Sequence, residues 1–558
     1  MRGKTLHLSQ AETYTHMKPS FLRIATALSA VCLGATAANP YLPLWEYIPD
    51  GEPYVFEDPD NPGQYRVYVY GSHDVEITAY CGRNQVVWSA PVDDLLHWRY
   101  DGVIFESRLD ANGKPLNPDG KGDILYAPDV QEKIGPDGKK TYYLYPNTQA
   151  RGRNSMIARS DRPDGPFIVC NWDPKDPTRT VGPMGFDPAI FIDDDGRVYG
   201  YWGFQESWGA ELDPETMCTV KKGTQPVKDM VSNLHQDGVF RFFEASSLRK
   251  VKDKYIFIYS RWTADGDFGL PEANNTLAWA WSNAPLGPWT YGGTLIDARG
   301  RDVDEAGNPI CTAAPGGNTH GSICQIEGQW YVFYHRQTGL GGFDRQAMVA
   351  PIELNVIEGP DGKVEISEAE YNSDGFELGG LNPLERHSAG IACWFTGPRP
   401  AEKDNLGNAY SGSYIQPRRP VWDGEGDPYD LSINHNPVVN NTAGSIVGYK
   451  YFNFDKLYPD LAMRRSPRMA AKKLLVNLIP QGVKGRIVIM ADHPRHGTRL
   501  GVIRLSGKQS DQVQKYCARV PKASRLQGKH ALYFVFESET PDRSLCELED
   551  FVFARRRR

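Results

Sequence analysis

One pattern of short strands recurs five times in the first two thirds of the chain, and it constrains the fold more than any other feature. Each copy contains an aromatic, β-branched strand that follows a polar turn; the five strands read RVYVYGS, TYYLYPN, RVYGYWG, KYIFIYS and QWYVFYH. Another apolar strand, opening on a polar residue, precedes each turn. Short strands bounded by such turns are typical of antiparallel sheets, so the sequence predicts an all-β fold.

Repetition at an interval of roughly 50 to 80 residues is typical of a β-propeller, in which the innermost strand of each blade lines a central channel. We therefore predict a five-bladed β-propeller. The polar residues that open the inner strands would converge at one end of its channel; they are Glu52, Asp129, Asp187, Glu244 and His320. Acidic groups brought together from distant parts of a chain are unfavourable as a plain structural core, which points to a functional site.

The chain divides into four predicted parts. Residues 1–38 resemble a secretory signal peptide behind an N-terminal extension, since basic Lys18 and Arg23 precede a short apolar stretch and then small residues. Residues 39–355 are the predicted propeller. Residues 356–440 include a stretch rich in Pro, Gly and Asn and are predicted as a connecting segment. Residues 441–558 again contain alternating short strands, which indicates a β-sandwich.

Several functional classes follow from the composition or are excluded by it. The signal peptide predicts export to the periplasm or the extracellular space, and no segment is long enough for a membrane span. A net charge of −7 disfavours a nucleic-acid partner. The eight cysteines after residue 38 form no C-x-x-C pair, which disfavours a zinc site, whereas Cys517 and Cys546 are candidates for a disulfide. Aromatic residues make up 11% of the chain, which suits stacking on sugar rings as well as an ordinary core.

Two carboxyl groups that face each other across a pocket can hydrolyse a glycosidic bond. One of them, kept protonated by its surroundings, protonates the leaving oxygen, while the other acts on the opposite face of the sugar. A third acid can raise the pKa of the proton donor through like-charge repulsion. The converging acids of the predicted channel therefore favour a glycosidase.

Four motifs follow one another along the chain: YAPDV, GFDPAIFIDDDGRVYGYWG, FFEASSLRKVKDKYIFIYS, and NTHGSI followed by WYVFYHR. Through these motifs, in that order, the chain resembles glycoside hydrolase family 43 over roughly residues 40 to 355. This resemblance implies a five-bladed propeller with an inverting mechanism. The C-terminal sandwich resembles carbohydrate-binding module family 6, mainly through GSIVGYKYFNF and HALYFVFE.

The resemblance implies three catalytic residues. Glu244 matches the general acid, and Asp187 matches the acid that tunes and orients it. Glu52 lies where the family usually has the aspartate of an Asp-Pro pair as general base. A glutamate there is one methylene longer, so Asp50 and Asp74 are alternative bases if Glu52 does not reach the substrate.

The remaining site residues are predicted to bind substrate, and for each of them a purely structural role stays open. Acidic Asp129 and basic His320 and Arg345 would contact sugar hydroxyls, and the aromatic rings would form a platform; the rings are Tyr126, Phe186 and Trp202. No cofactor is expected to be required, although the resemblance allows a structural calcium ion near His320.

The sequence thus predicts an exported, exo-acting, inverting glycoside hydrolase that acts as a monomer on an oligo- or polysaccharide. It would remove a terminal pentose, an α-L-arabinofuranosyl or a β-D-xylosyl group, from plant-type polysaccharide. Two alternatives stay open: a β-galactosidase-type exo-hydrolase on the same fold, and a glycan-binding propeller that is catalytically impaired because of the glutamate at position 52.

Overall fold

The structure is a computed structural model, and it describes residues 38–75, 79–313, 317–398, 412–458 and 471–555. These residues belong to one compact unit, Ala35–Arg558. The predicted signal peptide and Cys32 lie outside the described residues. Strands dominate, and the helices of the described part are four short 3-10 helices: Asp267–Gly269, Ala389–Ile391, Phe454–Leu457 and Pro521–Arg525.

Five antiparallel sheets, numbered here sheets 1 to 5, follow one another along the chain as the repeat predicts. In each of them the strands pair in chain order. Sheet 1 consists of β1 (Glu52–Glu57), β2 (Tyr65–Tyr70), β3 (Gln85–Pro91) and β4 (Arg99–Phe105). Sheet 2 consists of β5 (Asp129–Ile134), β6 (Lys140–Tyr145), β7 (Ala158–Ser160) and β8 (Ile168–Val169). The hairpin of β9 (Trp172–Asp173) and β10 (Asp176–Thr180) comes next.

Sheet 3 consists of β11 (Ala189–Ile192), β12 (Val198–Trp202), β13 (Trp208–Leu212) and β14 (Val227–Lys228). Sheet 4 consists of β15 (Phe242–Val251), β16 (Lys254–Arg261), β17 (Thr276–Ser282) and β18 (Thr290–Asp297). The hairpin of β19 (Arg301–Val303) and β20 (Pro309–Cys311) precedes sheet 5, which consists of β21 (Ser322–Ile326), β22 (Gln329–Gln337) and β23 (Arg345–Ile352). A hairpin of β24 (Leu354–Ile357) and β25 (Lys363–Ile366) ends this part.

The first strands of the five sheets lie next to one another. β11 contacts β5 on one side and β15 on the other, and β1 contacts β21. Hydrogen bonds complete the sequence of neighbours, from Tyr54 of β1 to Asp129 of β5 and between Ser247 of β15 and Ser322 of β21. The N-terminal ends of these strands therefore meet, which brings distant parts of the sequence to one place.

Two further sheets share one hydrophobic core. Sheet 6 contains β26 (His387–Ser388), β28 (Tyr414–Ile415), β29 (Val438–Val439), β31 (Lys473–Pro480), β34 (Gln514–Arg519) and β36 (Cys546–Ala554). Sheet 7 contains β27 (Trp394–Thr396), β30 (Ile446–Asn453), β32 (Lys484–Ala491), β33 (Thr498–Ser506) and β35 (Lys529–Ser538). Buried side chains such as Val476 and Phe551 of sheet 6 and Ile487 and Phe534 of sheet 7 pack together.

Four of these strands, β26 to β29, lie within residues 356–440, which the sequence assigned to a connecting segment. They are only two or three residues long, so they show no alternating pattern that sequence could reveal. The C-terminal sheets thus draw on residues well before position 441.

The eight cysteines of the described residues are free thiols. The proposed pair Cys517 and Cys546 is not joined, because Cys517 lies opposite Leu475 and Cys546 opposite Pro480, on strands that flank β31 from opposite sides. Among the described residues, no helix is long and apolar enough to cross a membrane.

Candidate active site

A cavity of about 330 Å³ opens where the N-terminal ends of the inner strands meet. Its walls are formed by Asp50, Tyr80, Cys81, Tyr126, Ala127, Gln149, Phe186, Asp187, Phe204, Phe243, Glu244, Asn318, His320 and Arg345. Six of the nine predicted site residues are in this set. The other three, Glu52, Asp129 and Trp202, are not.

Asp50 lines the cavity at the start of sheet 1. It lies two residues before β1, in a left-handed backbone conformation with φ of 61°. Both carboxylate oxygens accept hydrogen bonds from Nη1 of Arg345, at 3.0 and 3.1 Å, and Oδ2 also accepts one from Ser72 Oγ at 2.6 Å. Burial alone would raise the pKa of Asp50, but Arg345 and His335 lower this pKa well below its usual range. Asp50 is therefore ionised across the physiological pH range.

Arg345 is fixed from its other side by Asp74. Its Nε and Nη2 donate to the two Asp74 carboxylate oxygens at 2.9 and 3.0 Å, and its guanidinium carbon lies 5.0 Å from the centre of the Tyr80 ring. Asp74 is fully buried and also accepts a hydrogen bond from the Cys81 backbone N–H at 3.0 Å. The alternative base Asp74 is thus engaged behind Arg345 and does not line the cavity, whereas Asp50 does.

Glu244 faces the same cavity from a bulge in β15. The pairing with β16 shifts on both sides of Glu244, and Ala245 has a left-handed φ of 66°. Burial, together with the negative charge of Asp50, raises the pKa of Glu244 to about 8, against the opposing charge of Arg345. No hydrogen bond from a described residue reaches its carboxyl group. Glu244 is therefore protonated at neutral pH.

Asp187 lies beside Glu244 and is held by two N–H donors. Ala245 donates its backbone N–H to Oδ2 at 3.1 Å, and Asn147 donates from Nδ2 to Oδ1 at 2.8 Å. Burial and the charges of Glu244 and Asp50 raise the pKa of Asp187 well above its usual range. Since the two N–H groups stabilise the Asp187 anion and Glu244 has no such donors among the described residues, a proton shared by these acids rests on Glu244.

His320 is a neutral neighbour of this pair. Its Nδ1 lies 3.6 Å from Asp187 Oδ2, which is beyond hydrogen-bonding distance. Burial lowers the pKa of His320 to about 4. It is thus able to offer a neutral donor or acceptor to a bound molecule.

Glu52 does not reach the cavity, contrary to the expectation for a base. Its Oε2 accepts a hydrogen bond from Nη2 of Arg249 at 2.8 Å and another from Ser247 Oγ at 3.2 Å, while Oε1 is buried without a hydrogen-bond partner among the described residues. Burial and the charge of Asp129 raise the pKa of Glu52 to about 7, although Arg249 opposes this. Glu52 therefore belongs to a buried polar cluster between the inner strands of the sheets.

Asp129 belongs to the same cluster and does not line the cavity either. Its Oδ1 accepts hydrogen bonds from Tyr54 Oη at 2.7 Å and from the Val130 N–H at 2.8 Å, and its Oδ2 accepts one from the Ile190 N–H at 2.7 Å. Nη1 of Arg249 also donates to Tyr54 Oη at 3.2 Å. These bonds join the inner strands of sheets 1, 2, 3 and 4, which indicates a structural role for Asp129.

The physical reason for both differences is the depth of each residue along its strand. Glu52 and Asp129 are the first residues of β1 and β5, whereas Asp187 and His320 precede β11 and β21 by two residues. Because side chains of a strand alternate with a period of two, positions two apart share a face at different depths. The equivalents of Asp187 are thus Asp50 and Ala127, and both of them line the cavity.

Aromatic rings form one wall. Phe204, with 46% of its surface exposed, lies between Phe186 at 4.9 Å and Phe243 at 5.0 Å between ring centres. Trp202, expected in the platform, instead stacks on Trp208 in the core of sheet 3. Trp202 is the last residue of β12, a fully buried strand, so its ring packs within the sheet.

Four other lining residues were not found by sequence reasoning: Tyr80, Cys81, Gln149 and Asn318. They come from loops between strands, where no repeat marks a position. Asn318 donates from Nδ2 to Tyr80 Oη at 3.0 Å, so two of these loops are joined at the cavity rim.

The described residues do not fit a side-chain calcium site. Among them, no group of three or more His, Cys, Asp and Glu side chains is arranged to hold a metal ion. The Arg345 guanidinium contributes a positive charge to the surroundings of His320.

The cavity is thus lined by an ionised carboxylate, Asp50, and a protonated carboxyl group, Glu244, whose pKa values are displaced in opposite directions. Glycoside hydrolysis needs this arrangement. The fold and the site together thus define a glycosidase.

Comparisons with known proteins agree with this class. Residues 58–357 match the model of glycosyl hydrolases family 43. The chain is 35% identical over 434 residues to a xylosidase/arabinosidase of Thermoclostridium stercorarium, covering 74% of this chain and 82% of that protein. It is 28% identical over 317 residues to xylosidase/arabinosidase 43A of Humicola insolens, covering 48% and 84% of the two chains. This protein belongs to glycosyl hydrolases family 43, and it is a glycoside hydrolase.

A solved structure is similar over nearly the whole length. It is a family 43 arabinoxylan arabinofuranohydrolase from Bacillus subtilis in complex with cellotetraose, with 21% identity and a TM-score of 0.43, covering 93% of this chain and 97% of that chain.

Proposed function

We propose that this protein is an exo-acting, inverting glycosidase that removes a terminal pentose, α-L-arabinofuranosyl or β-D-xylosyl, from plant-type polysaccharide. The observation that carries the proposal is the opposite ionisation of Asp50 and Glu244 in one cavity. The similarity to two proteins named xylosidase/arabinosidase supports the choice of sugar. A volume of about 330 Å³ is at the small end for a ligand site and suits the end of a glycan chain.

In the proposed mechanism, Glu244 gives its proton to the glycosidic oxygen as the bond from that oxygen to the anomeric carbon breaks. Asp50 takes a proton from a water molecule whose oxygen attacks the anomeric carbon from the opposite face. The products are a free sugar of inverted configuration and a shortened glycan with a new hydroxyl group, while the two carboxyl groups have exchanged protonation states. Both return to their resting states by proton exchange with solvent.

The supporting residues act on these two groups. Arg345 holds Asp50 ionised and oriented. Asp187, which accepts the backbone N–H of Ala245, orients the neighbouring Glu244, whose pKa is raised by burial and by the charge of Asp50. His320 and Tyr126 line the cavity and would contact the bound sugar. Asp50 thus takes the role for which sequence favoured Glu52.

We also infer the finer architecture. The ring of neighbouring inner strands supports a closed five-bladed propeller, and the shared core of sheets 6 and 7 supports a β-sandwich similar to carbohydrate-binding module family 6. A pull-down on insoluble xylan tests glycan binding by the sandwich. The full chain should be retained, and a variant altered only on the sandwich surface should not.

Three expectations from sequence are kept as proposals: export through the N-terminal signal peptide, a monomeric state and activity without a cofactor. N-terminal sequencing of the mature secreted protein, light scattering and assays in chelator test them in turn.

A panel of aryl glycosides with arabinan, xylan and galactan tests the proposed substrate class. Release of arabinose or xylose as single sugars, with the inverted anomer seen first by NMR, is expected. Release of galactose alone would favour the β-galactosidase alternative, and binding without release would favour the impaired propeller. That last alternative depends on the longer side chain at position 52. In the proposed mechanism Asp50 is the base, so the length of the Glu52 side chain no longer favours it.

A further inference from the structure

The contacts that hold Asp50 in place extend to a residue outside the five sheets, Arg419. Asp50 is bound by Arg345, and Arg345 by Asp74, as described above. The Asp74 backbone carbonyl then accepts a hydrogen bond from Nη1 of Arg419 at 2.5 Å. Arg419 lies 62 positions beyond residue 357, where the match to the family model ends (419 − 357). Positive and negative side chains thus alternate from the cavity to the segment that leads into the C-terminal sheets.

Arg419 clamps the chain just before Asp50. Its guanidinium carbon lies 4.1 Å from the centre of the Tyr47 ring, a cation–π contact, and Tyr47 is fully buried. The backbone N–H of Asp74 donates to the Tyr47 carbonyl at 2.9 Å. Arg419 therefore contacts both members of the Tyr47–Asp74 pair, and Tyr47 is three residues from Asp50.

A second contact ties the same segment to the far side of Arg345. Ile415 donates its backbone N–H to the Thr338 carbonyl at 2.9 Å, and Thr338 Oγ1 donates to the Asp344 carboxylate. Burial raises the pKa of Asp344 to about 7, and the charge of Arg419 acts against this rise. The segment thus reaches Asp74 and Asp344, the latter directly before Arg345 in sequence.

From these contacts we infer that Arg419 is a positioning residue for catalysis: it acts from outside the five sheets, through Tyr47 and Asp74, to hold Arg345 and Asp50 in place. The inference rests on the proposed role of Asp50 as the base. It makes Arg419, in the segment 412–420, part of the catalytic unit although this residue lies outside the five sheets.

The chain offers a matched control at the adjacent position. Arg418 is also an arginine of this segment, but its Nη2 donates to Glu549 at 3.2 Å and its Nη1 lies 2.5 Å from His435 Nε2, away from the cavity. Removing its charge should affect the segment and leave the contacts to Tyr47 and Asp74 intact.

The experiment compares Arg419→Gln, Arg419→Lys and Arg418→Gln in the full chain, with kcat and KM measured on the preferred aryl glycoside well below each thermal midpoint. We expect kcat of Arg419→Gln to fall about 10-fold with KM changed less than about twofold, because a displacement of ~1 Å at a reacting group costs ~10²-fold. Arg419→Lys, which keeps the charge, should recover most of kcat, and Arg418→Gln should match the unaltered enzyme. If Arg419→Gln does not fold, Arg419→Met, which preserves packing on Tyr47, replaces it.

A kcat within twofold of the unaltered enzyme for the charge-removing variant, or an equal loss in Arg418→Gln, would overturn the inference. Failure of Arg419→Lys to recover kcat would do so as well. Asp50→Asn separates this from the proposed function: if Asp50→Asn is inactive while Arg419→Gln is normal, only the role of Arg419 is wrong. If Asp50→Asn is active, the proposed base itself is wrong.

Discussion

Replacement of Glu244 by Gln removes the proposed proton donor while preserving size and shape. The structure sets the size of the effect, since the pKa of Glu244 is raised from 4.5 to about 8. With that value about 90% of the enzyme carries the proton at pH 7, compared with about 0.3% for an ordinary glutamate, a difference of roughly 300-fold. General acid catalysis typically contributes ~10²–10⁴-fold, and we expect a loss of kcat/KM in that range on natural glycans.

The assay pairs two substrates that differ only in the leaving group. A dinitrophenyl glycoside needs no proton on departure, so Glu244→Gln should retain most activity on it and lose activity on an alkyl glycoside or an oligosaccharide. For the unaltered enzyme, kcat/KM on the alkyl glycoside should fall tenfold per unit above a pH of about 8, and this limb should be absent from the dinitrophenyl profile. Equal losses on both substrates would refute Glu244 as the proton donor, and Asp137→Asn, in an exposed turn, serves as a control.

Three further predictions concern the charges and thiols of the structure. Replacing Arg345 by Met should raise the pKa of Asp50, so that an acidic limb of kcat/KM appears above a pH of about 4; an unchanged acidic limb would contradict the assigned role of Arg345. Because the folded-state pKa of Glu244 is raised, the contribution of this group to stability is fully present below pH 4.5 and is lost as the pH rises through about 8. Glu244→Gln should therefore raise the thermal midpoint at pH 9 and change it little at pH 4. A larger effect at pH 4 than at pH 9 would be inconsistent with that pKa. Cys170 and Cys517 are exposed free thiols, so the native protein should react with maleimide at these two sites ahead of buried cysteines such as Cys546. Reductant should leave the melting curve unchanged, and a shift of the curve on reduction would indicate a disulfide.

The sequence predicted the all-β class and the order of the five sheets, because each copy of the repeat carries its own turn and aromatic strand. It also selected Glu244 and Asp187, whose motifs mark the starts of inner strands, and Arg345, which begins β23; all three line the cavity. It favours Glu52 over Asp50 because Glu52 opens its strand, whereas Asp187 and His320 lie two residues before theirs. A left-handed residue before a strand, such as Asp50, changes how far a side chain lies from the cavity, and so does a bulge such as that around Glu244. No residue pattern in the sequence reveals either feature.

The rest of the site depends on contacts between distant segments. Cys81, Gln149 and Asn318 reach the cavity from loops whose paths are set by packing, and no local pattern identifies them. The same holds for Arg419, whose contacts with Tyr47 and Asp74 join residues more than 340 positions apart (419 − 74 = 345). Tertiary packing decides such pairs, and periodicity within a segment carries no information about them.

The central claim is that Asp50, and not Glu52, activates the water. It is tested most directly by kcat of Asp50→Asn and Glu52→Gln on the same aryl glycoside. We predict a loss of kcat of ~10²–10⁴-fold for Asp50→Asn. For Glu52→Gln we predict a reduced thermal midpoint, because Arg249 loses its charged partner. The kcat of Glu52→Gln should stay within about tenfold of the unaltered enzyme, which is a smaller loss than the removal of a general base would give. A large loss of kcat in Glu52→Gln with near-normal activity in Asp50→Asn would contradict the account.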